Sequence, residues 1–194
     1  MVAASPFARK CRIAAAHLGL GDRVIFVDGE DDPANELRAT NPLNKIPVAL
    51  LDDGTTLFDS RVILEYFDHL AGGDAIIPID PARRFRALTW QALADGILDA
   101  AILIGYEARY RAPHERSTKW LAMQGDKIGR ALDVAEKREL PEAIDVGSIA
   151  LACALGFLDL RHGGAWRENH PRLVGFLDAF ARNAPAFEAT RAAR

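Results

Sequence analysis

Two periods of apolar and polar residues run along this chain, one of two residues and one of about 3.6, and strand-type runs occur only before residue 60. A first helix is expected from Ser5, with Pro6 at the first helical position, where its missing N–H costs nothing. It should run to about Leu18, with Gly19 and Gly21 as natural stops. Residues 23–28 are β-branched and aromatic and read as a strand; an acidic loop at 29–32 and a short helix at 33–39 should follow. Val48-Ala49-Leu50-Leu51 and Leu57-Phe58 are apolar runs separated by Asp52-Asp53-Gly54 and Thr55-Thr56, the pattern of a hairpin, with Pro47 at the first strand's start, where a proline is tolerated. Ser60 then precedes ten residues at helical spacing and is the expected N-cap.

After a loop rich in Gly and Pro at 72–80, no strand pattern remains. Residues 81–111 read as one long helix, with Leu88, Ala92, Asp95, Asp99, Ile102 and Tyr106 on a stripe. Pro113 ends it. Residues 116–139 form a second helix with Trp120, Met123, Lys127 and Ala131 on one face. Asp145 can cap the next helix, and Ile144 against Ile149 fits a hydrophobic staple. Residues 150–160 are apolar nearly all round, so that helix should be buried. Gly163-Gly164 is a break, and shorter helices are expected at 171–181 and 185–194.

The run Asn41-Pro42-Leu43-Asn44-Lys45-Ile46-Pro47, then Asp53-Gly54, then Phe58-Asp59-Ser60-Arg61, resembles the glutathione-binding half of the cytosolic glutathione transferases. Ser5-Pro6-Phe7-Ala8-Arg9-Lys10 resembles the active-site segment of their serine-type bacterial and plant-like members. The resemblance covers nearly the whole chain. It implies a thioredoxin-like α/β domain at about 1–71, a linker at 72–80 and an all-α helical domain at 81–194 with an acceptor pocket. It also implies a strand before the first helix; Met1 to Ala4 provide about 13 Å of extended chain at ~3.3 Å per residue, so that strand should be abbreviated or the true start should lie upstream. The family's capping box usually runs Ser or Thr, then Asp three residues on; here Asp145 and Ser148 exchange those places.

Glutathione reacts as its thiolate, and a free thiol has a pKa of about 8.5, so a site that steadies the anion accelerates its attack on an electrophile. Ser5 alone reads as a plain N-cap; with the downstream motifs it becomes the hydroxyl that donates to the glutathione sulfur at a helix N-terminus. Ile46-Pro47 resembles the family's cis-proline element, which would aim the Ile46 backbone at the tripeptide's cysteinyl part; by itself the pair reads as a trans proline at a strand start. Asp59 can take the γ-glutamyl ammonium and Ser60 its carboxylate, a role compatible with a capping pair. Lys45 can meet the glycyl carboxylate or be a solvated lysine; Phe7 can flank the sulfur or pack in the core. Tyr106 and Arg109 are candidates for the electrophile pocket, and Trp90 reads as core packing.

The 194 residues can bury a sizeable core, and 49% hydrophobic and 26% charged residues make an ordinary globular mix. A net charge of −3 gives no basic field for nucleic acid. Cys11 and Cys153 give no disulfide framework or zinc pattern, the five His have no metal-ligand spacing, and Ser5-Pro6-Phe7-Ala8 stands where thioredoxin-like relatives carry two Cys, which excludes dithiol exchange through that motif. No apolar run approaches the ~20 residues of a membrane helix and no signal peptide is evident, so a reducing cytoplasm is the expected location. The resemblance implies a metal-free homodimer with a detoxifying transferase activity on a small electrophile. A non-catalytic glutathione-binding or regulatory module, or a glutathione-dependent peroxidase or reductase, stays open.

Overall fold

The computed structural model describes residues 5–27 and 38–192. Residues 1–4, 28–37 and 193–194 lie outside it, and with them the expected first strand, the acidic loop and most of the short helix at 33–39; residues 38–40 are helical.

Helix α1 spans Pro6–His17, with Ser5 as its N-cap in an extended conformation and Pro6 at its first position. Strands β1 (Ala49–Leu50) and β2 (Thr56–Leu57) pair antiparallel in the register Ala49 to Leu57 and Leu50 to Thr56. The turn between them needs Gly54 at φ +84°, a conformation an L side chain resists. Helix α2, Ser60–Leu70, follows at once. Its cap is Asp59 rather than Ser60: the Asp59 carboxylate accepts the Arg61 N–H at 2.9 Å, and Ser60 becomes the first helical residue. A carboxylate one residue earlier reaches the second helical N–H, so it takes the cap position from the hydroxyl.

The strand expected at residues 23–28 is corrected. Residues 24–27 join no ladder among the described residues, and Ile25, Phe26 and Val27 are exposed. Just before them the chain turns at residues 21–23, where the Arg23 and Val24 N–H groups donate to the Leu20 carbonyl. β-type side chains make a strand only where a backbone partner and a burying surface exist.

The rest is helical: α3 (Pro81–Tyr110), α4 (Thr118–Lys137), α5 (Val146–Arg161), α6 (Pro171–Asn183) and the short α7 (Ala186–Ala189). α5 is the hub. Residues Ile149 to Leu155 are without solvent exposure, and α5 packs on α3 and on α1. Asp145 and Ser148 form the exchanged capping box, the Asp145 carboxylate accepting the Ser148 N–H at 2.8 Å and the Ser148 hydroxyl accepting the Asp145 N–H at 2.9 Å. α3 approaches so closely that a Cβ on Gly147 would lie 2.7 Å from both the Ala87 carbonyl oxygen and Trp90 Cβ. Trp90 is core, as its sequence position suggests.

On α4 the buried residues are Gln124, Leu132 and Ala135, whereas Trp120, Met123 and Lys127 are exposed. The last helix is shorter than its pattern, ending at Ala189. α3 is long and apolar enough to cross a membrane by length and composition, contrary to the reading of its sequence; half of its apolar window is buried in the fold, as the central helix of a bundle requires.

The segment joining α2 to α3 is clasped rather than loose. Buried Asp68 accepts three successive backbone N–H groups through Oδ1, from Ala75, Ile76 and Ile77 at 3.0, 2.7 and 3.1 Å. The Ile76 carbonyl in turn accepts the Val146 N–H at 3.0 Å, at the start of α5.

Candidate functional site

Ser5 and Phe7 sit on the first turn of α1 and are half-buried. Ser5 Oγ accepts the Ala8 N–H at 3.3 Å, while its own O–H donates to none of the described residues. That leaves a hydroxyl donor pointing from a helix N-terminus, where the helix dipole favours an anion.

The segment leading into β1 is shaped by Asn41, which is buried. Its amide nitrogen donates to the Lys45 carbonyl at 2.7 Å and its amide oxygen accepts the Leu43 N–H at 3.0 Å. Asn44 adopts φ +51° in the resulting turn. Lys45 is exposed, Ile46 and Pro47 are half-buried, and the Ile46–Pro47 bond is cis; the Phe58–Asp59 bond is also cis. The cis-proline element thus enters the hairpin two residues before β1, and the Asp59-Ser60 pair leaves it two residues after β2. Ser60 is buried, and its hydroxyl bonds to none of the described residues.

Behind Asp59 runs a chain of charges that sequence reasoning did not single out as site residues. Arg61 donates to Asp59 through Nε and Nη2, at 3.4 and 3.0 Å. Arg61 Nε also lies 3.9 Å from Asp95 Oδ2, and Asp95 Oδ1 accepts from the Lys10 ammonium at 2.5 Å. Lys10 Nζ lies 5.0 Å from the Phe7 ring centre, an additional stabilisation of a charge that is wholly buried. Three elements thus meet: α1 through Lys10, α3 through Asp95 and α2 through Arg61. The available signals were Asp95, a carboxylate within an apolar stripe, and Arg61, the last residue of the Phe-Asp-Ser-Arg motif.

These contacts set the local titration. Burial pushes the Asp95 carboxyl above the usual range, with the Lys10 and Arg61 charges opposing it. Asp59 is held below the usual range: burial alone would raise it, but the Arg61 side-chain and backbone hydrogen bonds and the Arg61 and Lys10 charges prevail. The Cys11 and Cys153 thiols are pushed up to about 12 by burial, which makes both inert as nucleophiles at neutral pH.

The other two candidates stand apart from this cluster. Tyr106 lies eleven residues beyond Asp95 on α3, about 16 Å along the helix axis at ~1.5 Å per residue. It lines an open cleft of about 540 Å³ with Leu103, Glu107, Tyr110, Arg111, Ser117 and Trp120. Arg109 is not on that lining; its guanidinium lies 5.3 Å from the Tyr110 ring centre. A second cavity, of about 380 Å³, lies behind the first turn of α1, between Pro6, Arg9, Cys153, Phe157 and Phe187. No group of three or more His, Cys, Asp or Glu able to hold a metal ion occurs among the described residues.

Residues 4–70 match the family model of the glutathione S-transferase N-terminal domain, and residues 118–179 match that of the C-terminal domain. YibF of Escherichia coli strain K12, an uncharacterized GST-like protein, is 33% identical over 193 residues, covering 93% of this chain and 95% of its own. The chain belongs to the glutathione S-transferase family. It has that family's fold, a thioredoxin-like unit followed by an all-helical one. A glutathione transferase family member from Pseudomonas fluorescens Pf-5, solved with bound glutathione, superposes with a TM-score of 0.91 at 41% identity, covering 100% of this chain and 98% of that one. A family member from the same organism, solved with bound S-(propanoic acid)-glutathione, gives 0.89 at 41% identity, with the same coverage.

Proposed function

We propose that the chain is a serine-type glutathione transferase in which Ser5 donates its hydroxyl hydrogen to the glutathione sulfur. The observation that carries this reading is the uncommitted Ser5 O–H at the α1 N-terminus. A thiolate at that point gains a hydrogen bond and the helix dipole together, and its thiol loses its proton to solvent at a lower pH than the free tripeptide's. The sulfur's electron pair is then available to attack a small electrophile.

In this reading the backbone of Ile46, turned by cis Pro47, pairs with the cysteinyl part of glutathione. Asp59 takes the γ-glutamyl ammonium and Ser60 the carboxylate, Lys45 meets the glycyl carboxylate, and Phe7 flanks the sulfur. The charges favour this order. Asp59 and Asp95 oppose Lys10 and Arg61, with Asp99 also acting on Arg61, so one further cation balances the cluster. Residues 1–71 would bind glutathione, 72–80 would connect, and 81–194 would supply the acceptor pocket through Tyr106 and Arg109. The relative that holds S-(propanoic acid)-glutathione supports room for a group carried on the sulfur. The family's usual setting, a homodimer in the cytoplasm engaged in detoxification, completes the proposal.

Calorimetric titration with glutathione tests it. Heat of binding that weakens in Asp59→Asn, together with conjugating activity lost in Ser5→Ala, is the expected result. No heat at millimolar glutathione would sink the reading, and binding without turnover would leave only a glutathione-binding module.

A further inference from the structure

The cavity behind the first turn of α1 contains a cation without a counter-charge. Arg9 lies on its wall and is only 8% exposed. The guanidinium donates through Nη2 to the Phe187 carbonyl at 2.5 Å and through Nε to the Thr190 hydroxyl at 3.3 Å, and Cζ stands 4.0 Å from the centre of the Phe187 ring. These partners fix the group against α7, but all of them are neutral. A guanidinium carries five N–H donors. The second on Nη2 and both on Nη1 bond to none of the described residues. Nη1 lies over Gly156 of α5, where a Cβ would stand 2.8 Å from it, so the absence of a side chain there leaves room for that nitrogen.

The other charges on the wall are engaged with one another. Arg167 donates to Asp159 through Nε and Nη2, at 2.9 and 2.6 Å, and the charge of exposed Asp178 also acts on Arg167. Arg191 Nη2 lies 2.8 Å from Glu188. No carboxylate of the described residues lies within 4.0 Å of Arg9. Burial lowers the Arg9 pKa, as it does for a cation held away from water. The rest of the wall is largely apolar, with Phe157, Leu160, Leu177 and Ala181, and the volume of about 380 Å³ is in the range of small-molecule sites.

We propose that this cavity binds a small monocarboxylate with a short apolar chain, its oxygens on the free N–H groups of Arg9 and its chain against Phe157, Leu160 and Leu177. A guanidinium's planar donors suit a carboxylate's two oxygens, and the bonds are charge-assisted. A neutral ligand would leave the buried cation without a counter-charge. A second negative charge would meet Asp159, Asp178 and Glu188, which disfavours a dicarboxylate. The site uses neither Ser5 nor the hairpin, so it stands apart from the transferase reading.

The test is a ligand-observed NMR titration of the full chain with pentanoate, pentanamide and glutarate, which share a carbon chain length and differ in charge. Pentanoate should bind about 10-fold more tightly than either of the others. Arg9→Gln should bring pentanoate and pentanamide level. Ala181→Phe, which fills the apolar end and leaves the guanidinium in place, should weaken pentanoate about 10-fold in a chain that melts as the unaltered one does. Arg9 also anchors α7, so if its substitution unfolds the chain, Ala181→Phe decides the matter. Equal affinity for acid and amide, a preference that survives Arg9→Gln, or pentanoate binding unmoved by Ala181→Phe overturns the proposal. Displacement of pentanoate by chloride at equal concentration does so too, because it marks a counter-ion held by charge alone.

Discussion

The Lys10 ammonium lies 2.5 Å from Asp95 Oδ1, with the Lys10 side chain fully out of solvent, so α1 and α3 are joined by a buried charge pair. Removing one partner strands the other, because Arg61 at 3.9 Å is a distant substitute. Lys10→Met should cost about 3 kcal/mol in denaturant unfolding, and the double substitution with Asp95→Leu should recover most of that loss. A single variant that unfolds at the native midpoint would show that the pair has no structural role.

Ser5→Ala removes both a cap and the proposed sulfur donor. The cap is worth about 1 kcal/mol and its 3.3 Å bond is long, so folding should suffer little. Activity should fall about 100-fold, the scale of losing one donor to a developing or bound anion. Ultraviolet titration of bound glutathione should show its thiol moving back toward about 8.5. An unmoved thiol titration would assign Ser5 to capping alone.

Asp59→Asn keeps an acceptor for the Arg61 N–H and removes the charge. Glutathione affinity should drop about 10-fold by calorimetry, a charge-assisted bond being worth ~1.5–3 kcal/mol. The native carboxyl sits below its ordinary pKa, so its ionised form is the one the fold stabilises. That contribution is present above the unfolded pKa and is lost as pH falls through the folded one. Affinity for glutathione should therefore decline over the same acid window.

Gly147→Ala should destabilise by about 2 kcal/mol, the cost of overpacking a close helix contact. The added methyl would press on the Ala87 carbonyl and Trp90 Cβ, both 2.7 Å away, and a backbone atom cannot swing aside. Gly129, whose Cβ would meet nothing within 4 Å, provides the control: alanine there should be neutral or stabilising through helix propensity. Thermal melts of the two variants check this.

Half-buried His162 has its pKa lowered by burial, partly offset by a backbone hydrogen bond with Ala101. The folded state then binds fewer protons than the unfolded one, so stability is intact above about 6.5 and declines as pH falls toward the lower folded value. Unfolding midpoints between pH 7 and 5 should fall less steeply in His162→Gln.

Much of this was legible in the sequence because the deciding interactions are local. The Ser5 and Asp145 caps, the hairpin around Gly54 and the apolar helix 150–160 each follow from neighbours a few residues apart. Ile46–Pro47 required the resemblance, since propensity alone favours the trans form. The charge chain Lys10–Asp95–Arg61–Asp59 joins residues up to 85 positions apart, and only the packed helices bring them together. Which face of α4 is buried was not legible for a related reason. Trp120 and Met123 share a face, and only the packing of α3 and α6 decides that this face is left uncovered.

Asp68 has an effect far from its own position. By collecting three amide hydrogens from residues 75–77, while Ile76 holds the opening of α5, it makes the connection between the two halves a rivet and not a swivel. The spacing between the cis-proline corner and the helical wall is consequently inherited from the fold, and a ligand that enters meets a mouth of preset width.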